Sequence, residues 1–105
     1  MPRKGKKSVS CPVEATLNII GKKWTILIIR DLLTGTQRWS DLLRSLVGIS
    51  PRTLAARLDE LAEHHIVKKK IYPVIPPHTE YSLTARGKDL HFIIDQMSRW
   101  GAQEH

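Results

Sequence analysis

The sequence predicts a mainly α-helical domain that carries a small β-hairpin. Apolar residues recur at the spacing of amphipathic helices between residues 12 and 63, and again after residue 84. Between these stretches, IVKKKIY and TEYSL are rich in β-branched and aromatic residues and are joined by the proline-braced PVIPPH, which is typical of a hairpin. With 105 residues, 41% of them hydrophobic, the chain has the size of one domain with one modest core.

The charge balance favours a polyanionic partner. Seventeen Lys and Arg against ten Asp and Glu give a net charge of +7, which makes nucleic acid the first expectation and a membrane surface the second. The opening MPRKGKKSVS contains four basic residues and no acid, so we interpret residues 1–10 as a flexible basic arm and residues 11–105 as the domain. The chain shows no signal peptide, no apolar run of membrane-spanning length and one cysteine, and we expect a cytoplasmic protein without a membrane partner.

Two helices are predicted before residue 35. Pro12 at a first helical position and Glu14 near the N-terminal dipole indicate a short helix from Pro12 to Ile20, which Gly21 ends. The next stretch, KKWTILIIRDLL at residues 22–33, is apolar nearly all round, and such a helix lies at the centre of a fold. Its length argues against the alternative of a buried strand.

A helix-turn-helix pattern follows. We expect Ser40 to cap a third helix of barely two turns, which Gly48 terminates in a left-handed conformation. Ser50 then caps a fourth helix that has Pro51 at its first position and a leucine inner face. A short helix, a glycine-containing turn, a second amphipathic helix and a hairpin predict the winged helix-turn-helix architecture.

The outer side of the fourth helix predicts contact with DNA. The N-terminal residues of the second helix in a helix-turn-helix contact base edges. Arg52 and Arg57 can each form a fork, a pair of parallel N–H donors of the guanidinium group that bonds to guanine O6 and N7. The lysines at 68, 69 and 70 are point charges better suited to phosphate, and strand alternation separates the middle one from the other two. Two exposed arginines alone are usually a solvated face, but the caps, turn and hairpin around them favour the DNA interpretation.

Thr84 is expected to cap a last helix with more apolar surface than one neighbour needs. Its stripe consists of Leu90, Ile93, Ile94, Met97 and Trp100, while Phe92 lies off it. Such a stripe often packs only into the hydrophobic core of its own subunit. Its width on so small a chain favours a homodimer formed through the terminal helices.

From Cys11 to Trp100, 90 of the 105 residues, the chain resembles the HxlR family of bacterial transcription regulators. The matching stretches are CPVEATLNIIGKKW, RDLLTGTQRWSDL, GISPRTLAARLDEL and IYPVIPPHTEYSLTARG. The resemblance implies a dimer, with terminal helices at its interface, on a pseudo-palindromic operator in double-stranded DNA. The hairpin, which is the wing of the winged helix-turn-helix, departs from the family pattern, because Val74 replaces an acid and His78 stands where an arginine is common. The expected DNA contacts are Ser40, Ser50, Pro51, Arg52, Thr53, Arg57, Lys69 and His78.

Cys11 has two interpretations. A lone cysteine is most often a small buried apolar residue. This one lies at a helix N-terminus with Lys6 and Lys7 close in sequence, and both features favour the reactive thiolate. The family resemblance adds that some members sense oxidants or electrophiles through an N-terminal cysteine, so Cys11 is a candidate redox sensor whose inducer is unknown.

Two rival functions belong to other classes. A winged-helix module that binds protein or RNA would carry exposed apolar residues where Arg52 and Arg57 stand. A thiol-dependent enzyme would need a histidine or acid patterned with Cys11, and the sequence shows none. The five histidines match no standard zinc spacing, so we predict no metal and no other cofactor.

Overall fold

The structure is a computed structural model, and it describes residues 11–103. The predicted basic arm, residues 1–10, lies outside the described residues. In chain order the elements are α1 (Pro12–Ile20), α2 (Thr25–Leu33), β1 (Gln37–Arg38), α3 (Trp39–Ser45), α4 (Pro51–Glu63), β2 (Val67–Tyr72), β3 (His78–Leu83), α5 (Ala85–Lys88) and α6 (His91–Ala102). The mainly α-helical fold with a hairpin is confirmed.

Helix α2 lies at the centre of the core, as its all-round apolar pattern predicts. Ile28 and Ile29 on α2 are fully buried. The inner face of α4 supplies buried leucines at 54, 58 and 61, and the sheet adds Tyr81 and Leu83. One hydrophobic core therefore holds α4 against α2 and the sheet, which leaves the opposite side of α4 at the surface.

The start of α2 differs from the sequence prediction. The helix begins at Thr25, because Trp24 adopts a left-handed backbone conformation with φ of 82°. This conformation interrupts the helical path while the Trp24 side chain packs against the core. The same ring lies beside Gly48, where an added Cβ would be 3.8 Å from Cη2. The loop between α1 and α2 therefore packs against the turn between α3 and α4.

The prediction that Ser40 caps α3 is wrong. The helix begins at Trp39, and its N-cap is Arg38, whose backbone N–H donates to the Asp41 carboxylate at 3.0 Å. Pairing of β1 with β3 keeps Arg38 extended until the helix starts, so the boundary falls two residues earlier than the serine suggests. Ser40 is instead an exposed residue in the first turn.

The hairpin is part of a three-stranded antiparallel sheet. β2 and β3 pair from Val67↔Leu83 to Tyr72↔His78, close to the predicted strands. The two-residue strand β1 pairs with the other edge of β3, which gives the order β1-β3-β2. A strand this short produces no alternation in the sequence, and the prediction missed it.

The predicted last helix is two helices. Thr84 caps α5 as expected, because its Oγ1 accepts from the Gly87 N–H at 3.0 Å. That single turn is fixed against the chain before β2, where Thr84 Oγ1 also donates to the carbonyl oxygen of Ile66 at 3.2 Å. The chain then turns at Asp89 and Leu90, and α6 packs against α2. Two different packing partners account for the break.

We expect Gly87→Ala to destabilise the fold by about 1–3 kcal/mol, the usual cost of overpacking. A Cβ at this position would overlap the Ile66 backbone carbonyl and lie 3.1 Å from Leu83 Cδ2. Gly101→Ala is the matched control, because a Cβ there would have no neighbouring atom of the described residues within 4 Å outside its own helical turn. Thermal unfolding of both variants measures the difference, and equal stability would contradict this account of α5.

Candidate nucleic-acid interface

The N-terminus of α4 is fixed by local hydrogen bonds, as the sequence predicts. The Ser50 Oγ accepts from the Thr53 N–H at 3.0 Å and lies 2.9 Å from the Thr53 hydroxyl. Pro51 occupies the first helical position. The preceding turn has Gly48 at a φ of +97°, which favours glycine, and Ile49 anchors it in the core. The geometry of the helix-turn-helix unit is therefore set by residues adjacent in sequence.

Arg52 is the exposed arginine of this helix end. It lies in the first turn of α4, on the side away from the buried leucines. No hydrogen bond or ion pair joins its side chain to another residue within 11–103. Its guanidinium group is therefore available for a ligand outside the subunit.

Arg57 has a different environment. Its side chain is only 21% exposed, and its Nη1 donates to Glu60 Oε1 at 2.6 Å. The other Glu60 oxygen accepts from Lys22 Nζ at 2.9 Å. The Arg57 Nε is buried and has no hydrogen-bond partner in the described part of the chain. The fork expected of Arg57 is thus partly engaged inside the subunit.

Glu60 and Lys22 were not among the predicted site residues. The spacing of three residues between Arg57 and Glu60 on one helix was a usable signal for an ion pair. Lys22 is 38 residues from Glu60 in sequence, and only the tertiary fold brings it there. The hydrogen bond from Arg57, and then that from Lys22, holds the pKa of the Glu60 carboxyl below its usual value. Glu60 is therefore an anion at neutral pH.

The lysines of β2 divide between the sheet faces as predicted. Lys69 stands opposite Tyr81, and Lys68 and Lys70 stand opposite Ser82 and Glu80 on the other face. Tyr81 is buried against the helices, and burial, with a smaller effect from Asp59 of α4, raises the pKa of its phenol. Because paired residues share a sheet face, Lys69 lies on the same face as Tyr81, the face that is turned toward α4. The Lys69 side chain is exposed.

The wing brings His78 close to the start of α3. The His78 ring stacks on Tyr72 with centroids 4.7 Å apart, and its Nε2 lies 3.3 Å from Glu80 Oε2. His78 and Ser40, two predicted site residues far apart in sequence, line one surface cleft together with Arg38. Arg38 was not predicted there, because its place beside the wing depends on the missed strand β1.

The terminal helices share an exposed apolar surface. Val13 and Leu17 of α1 line one groove with Ile93 and Met97 of α6. A second groove continues along α6 and includes Trp100. We call the exposed side chains of Val13, Leu17, Phe92, Ile93, Met97 and Trp100 the α1–α6 face.

Two residues predicted at the dimer interface pack within their own subunit. Ile94 is buried in the core of its own subunit, and Leu90 packs against that core. Phe92, which the sequence placed off the stripe, is 66% exposed. The break between α5 and α6 sets the rotation of α6, so helical spacing counted from Thr84 did not identify the outer side correctly.

Cys11 is the N-cap residue of α1, as the sequence predicts. It is partly buried, and its side chain makes no capping hydrogen bond. Lys6 and Lys7, which were expected to influence the thiol, lie outside the described residues. Cys11 precedes Val13, a residue of the α1–α6 face, by two positions in the sequence.

The fold and the helix-turn-helix geometry define a winged helix-turn-helix protein of the transcription-regulator class. The chain belongs to the HxlR-like helix-turn-helix family, whose model matches residues 19–105. An uncharacterised HTH-type transcriptional regulator of Synechocystis, sll1512, is 40% identical over 92 residues, which are 88% of this chain and 68% of that protein.

Solved structures agree with this assignment. A protein from Porphyromonas gingivalis W83, described as a MarR-family transcriptional regulator, superposes with a TM-score of 0.89 and 35% identity over 97% of this chain and 100% of that one. The redox regulator HypR in its oxidised form gives a TM-score of 0.84 and 38% identity over 90% of this chain and 98% of that one. Within residues 11–103, the helices are too short or too polar to cross a bilayer.

Proposed function

We propose that this protein is a cytoplasmic, homodimeric regulator that binds a pseudo-palindromic operator in double-stranded DNA with sequence specificity. The observation that carries the proposal is Arg52, exposed in the first turn of a helix whose opposite side is fixed in the core. An arginine at that end of the second helix can donate two hydrogen bonds to guanine O6 and N7 in the major groove.

The surrounding residues supply contacts that position the helix without reading bases. Lys69, on the sheet face turned toward α4, is suited to a phosphate. Ser40 and His78, in the cleft between α3 and the wing, can contact the flanking backbone. Ser50, Pro51 and Thr53 place the first turn of α4 close to the groove, and Arg57 follows one turn later. The net charge of +7 adds an attraction that does not depend on sequence.

The dimer is proposed from the α1–α6 face. A two-fold axis through this face would pair the same residues from both subunits. The two copies of α4 would then enter successive major grooves about 34–36 Å apart, which requires an operator with two related half-sites.

Selection of bound sequences from random duplex DNA tests the proposal. We expect a pseudo-palindrome whose half-sites are centred about one helical turn apart. Gel-shift competition with single-stranded RNA and with unrelated duplex serves as the control. Equal affinity for all three, or a motif without repeated half-sites, would contradict the proposal and favour the winged-helix module that binds protein or RNA.

A thiol response is part of the proposal, supported by the position of Cys11 and by the similarity to HypR. Modification of Cys11 would add atoms at the start of α1, beside the proposed dimer interface, and could change the angle between the two copies of α4. With one cysteine per chain an intrachain disulfide is excluded, which leaves a sulfenic acid, a disulfide between subunits, a mixed disulfide with a small thiol, or an adduct.

We expect Cys11→Ser to fold and bind operator like the parent protein but to lose any response to oxidant. Fluorescence anisotropy of labelled operator, before and after mild oxidation, measures the response in both proteins. If the parent protein binds operator equally well before and after oxidation, Cys11 has only a structural role at the N-cap of α1.

A further inference from the structure

Glu60 binds two cations and thereby links α4 to the loop between α1 and α2. Its Oε1 accepts from Arg57 on the same helix, and its Oε2 accepts from Lys22 in the loop. Trp24 of that loop also lies beside Gly48, in the turn before α4. The Lys22–Glu60–Arg57 link therefore spans two segments that already pack together, so both ends of it are held in place.

The link limits what Arg57 can offer to DNA. A bidentate contact with guanine needs two neighbouring N–H donors on one edge of the guanidinium group. Burial of Nε removes the edge formed with Nη2, and at the other edge Nη1 already gives one of its two N–H groups to Glu60. Nη2 is the terminal nitrogen that no residue within 11–103 engages. A guanidinium group whose accessible nitrogens are divided between Glu60 and an outside ligand suits a phosphate oxygen better than the paired acceptors of a base.

We propose that Glu60 is a positioning residue for DNA recognition, which holds Arg57 so that it contacts a single phosphate and leaves base reading to Arg52. This inference rests on the DNA binding proposed above. It replaces the sequence-based interpretation of Arg57 as a second base-reading fork, and it adds Glu60 and Lys22 to the functional residues.

The charges of the link are consistent with this role. A lone carboxylate near the DNA backbone would repel phosphate. Here two cations surround one anion, so the group as a whole keeps a positive charge. The lowered pKa of Glu60 keeps the carboxylate ionised at neutral pH, and the link stays intact there. Arg57 is thus held at one position rather than free to reach several phosphates.

Comparison of Glu60→Gln with Glu63→Gln tests the inference. Both substitutions remove one negative charge from the C-terminal half of α4, but the Glu63 side chain is exposed and makes no hydrogen bond or ion pair within residues 11–103. The Lys22–Glu60 pair is exposed and contributes little to stability, and glutamine keeps the size of Glu60 and an oxygen that can accept from the partly buried Arg57. Both variants should therefore fold, and thermal unfolding checks this. The readout is the ratio of affinity for the selected operator to affinity for an unrelated duplex of the same length.

We expect Glu60→Gln to lower this ratio by roughly tenfold, because a neutral amide holds Arg57 and Lys22 less firmly than a carboxylate does, and a less constrained Arg57 contacts the backbone of any sequence. Glu63→Gln should leave the ratio unchanged. In Arg57→Ala, affinity should fall alike for all sequences, and the salt dependence should decrease by about one unit per half-site. Adding Glu60→Gln to Arg57→Ala should change the ratio no further.

Two results would overturn the positioning role while leaving DNA binding intact. One is an equal ratio for the two glutamine variants, and the other is relaxed preference at one base position in Arg57→Ala. Parent protein that fails to distinguish the selected operator from unrelated duplex would instead refute the proposed function, and the role of Glu60 with it.

Discussion

Arg52→Ala is expected to cost about 1–3 kcal/mol of operator affinity per half-site, and therefore about 2–6 kcal/mol for a dimer. The lower value corresponds to a loss of roughly thirtyfold. The reason is that Arg52 is exposed in the first turn of α4 and has no partner in the described part of its own subunit. Its truncation would therefore remove the proposed contact with DNA and would break no side-chain hydrogen bond or ion pair within residues 11–103.

Two further variants separate base reading from charge. Arg52→Lys keeps the charge but lacks the planar fork, so it should retain affinity for unrelated duplex and lose preference at one position of each half-site. Arg86→Ala removes one charge from an exposed position on α5, outside the proposed interface, and should have a small, sequence-independent effect. Repeating the sequence selection with each variant measures preference directly. Unchanged preference in Arg52→Ala would show that α4 does not read bases through this residue.

The helix-turn-helix unit could be predicted because its determinants are local. The Ser50 cap, Pro51 and Gly48 lie within four residues of one another and act on their own stretch of backbone. The alternation that separates Lys69 from its neighbours is also local. Patterns of this range are visible in a single sequence.

The features that sequence reasoning missed depend on tertiary contacts. The start of α3 follows from the pairing of β1 with a strand some 40 residues later, so Ser40 was a misleading cap signal. The engagement of Arg57 depends partly on Lys22, which no spacing rule connects to α4. The prediction therefore identified which residues lie at the recognition helix, but it did not distinguish a free arginine from one held within the subunit.

The α6 surface illustrates the same limit. Ile93 and Ile94 are adjacent and chemically equivalent, yet Ile94 is buried and Ile93 belongs to the α1–α6 face. About 100° of helical rotation separates two neighbouring residues, and the rotation of α6 depends on the break after α5. The apolar composition alone could predict that the last helix has more apolar surface than its own core needs, but not which side chains form that exposed surface.

Met97→Asp is expected to convert the dimer to a monomer. Met97 is 49% exposed and lines both grooves of the α1–α6 face, so it lies near the centre of the proposed interface. The substitution would place an unpaired carboxylate in that interface from each subunit. An uncompensated buried charge costs at least about 3 kcal/mol, which corresponds to a loss of more than roughly a hundredfold in dimer affinity.

Sedimentation at micromolar concentration measures the change. The parent protein should sediment at twice its chain mass of 12.0 kDa, and Met97→Asp at the chain mass. Ile71→Asp is the matched control, since it replaces an apolar residue of 63% exposure on β2, outside the α1–α6 face, and should remain dimeric. Because Met97 is half exposed in the subunit, thermal unfolding of the variant should still show a folded domain.

Operator binding should be lost together with the dimer. In the proposed dimer each subunit binds one half-site, and the gain from binding two linked half-sites would disappear when the subunits separate. Met97→Asp should therefore bind the full operator no better than an isolated half-site, although Arg52 and the rest of α4 are unchanged. A monomeric parent protein would refute the dimer itself. A Met97→Asp variant that remains dimeric would show that the subunits associate through another surface.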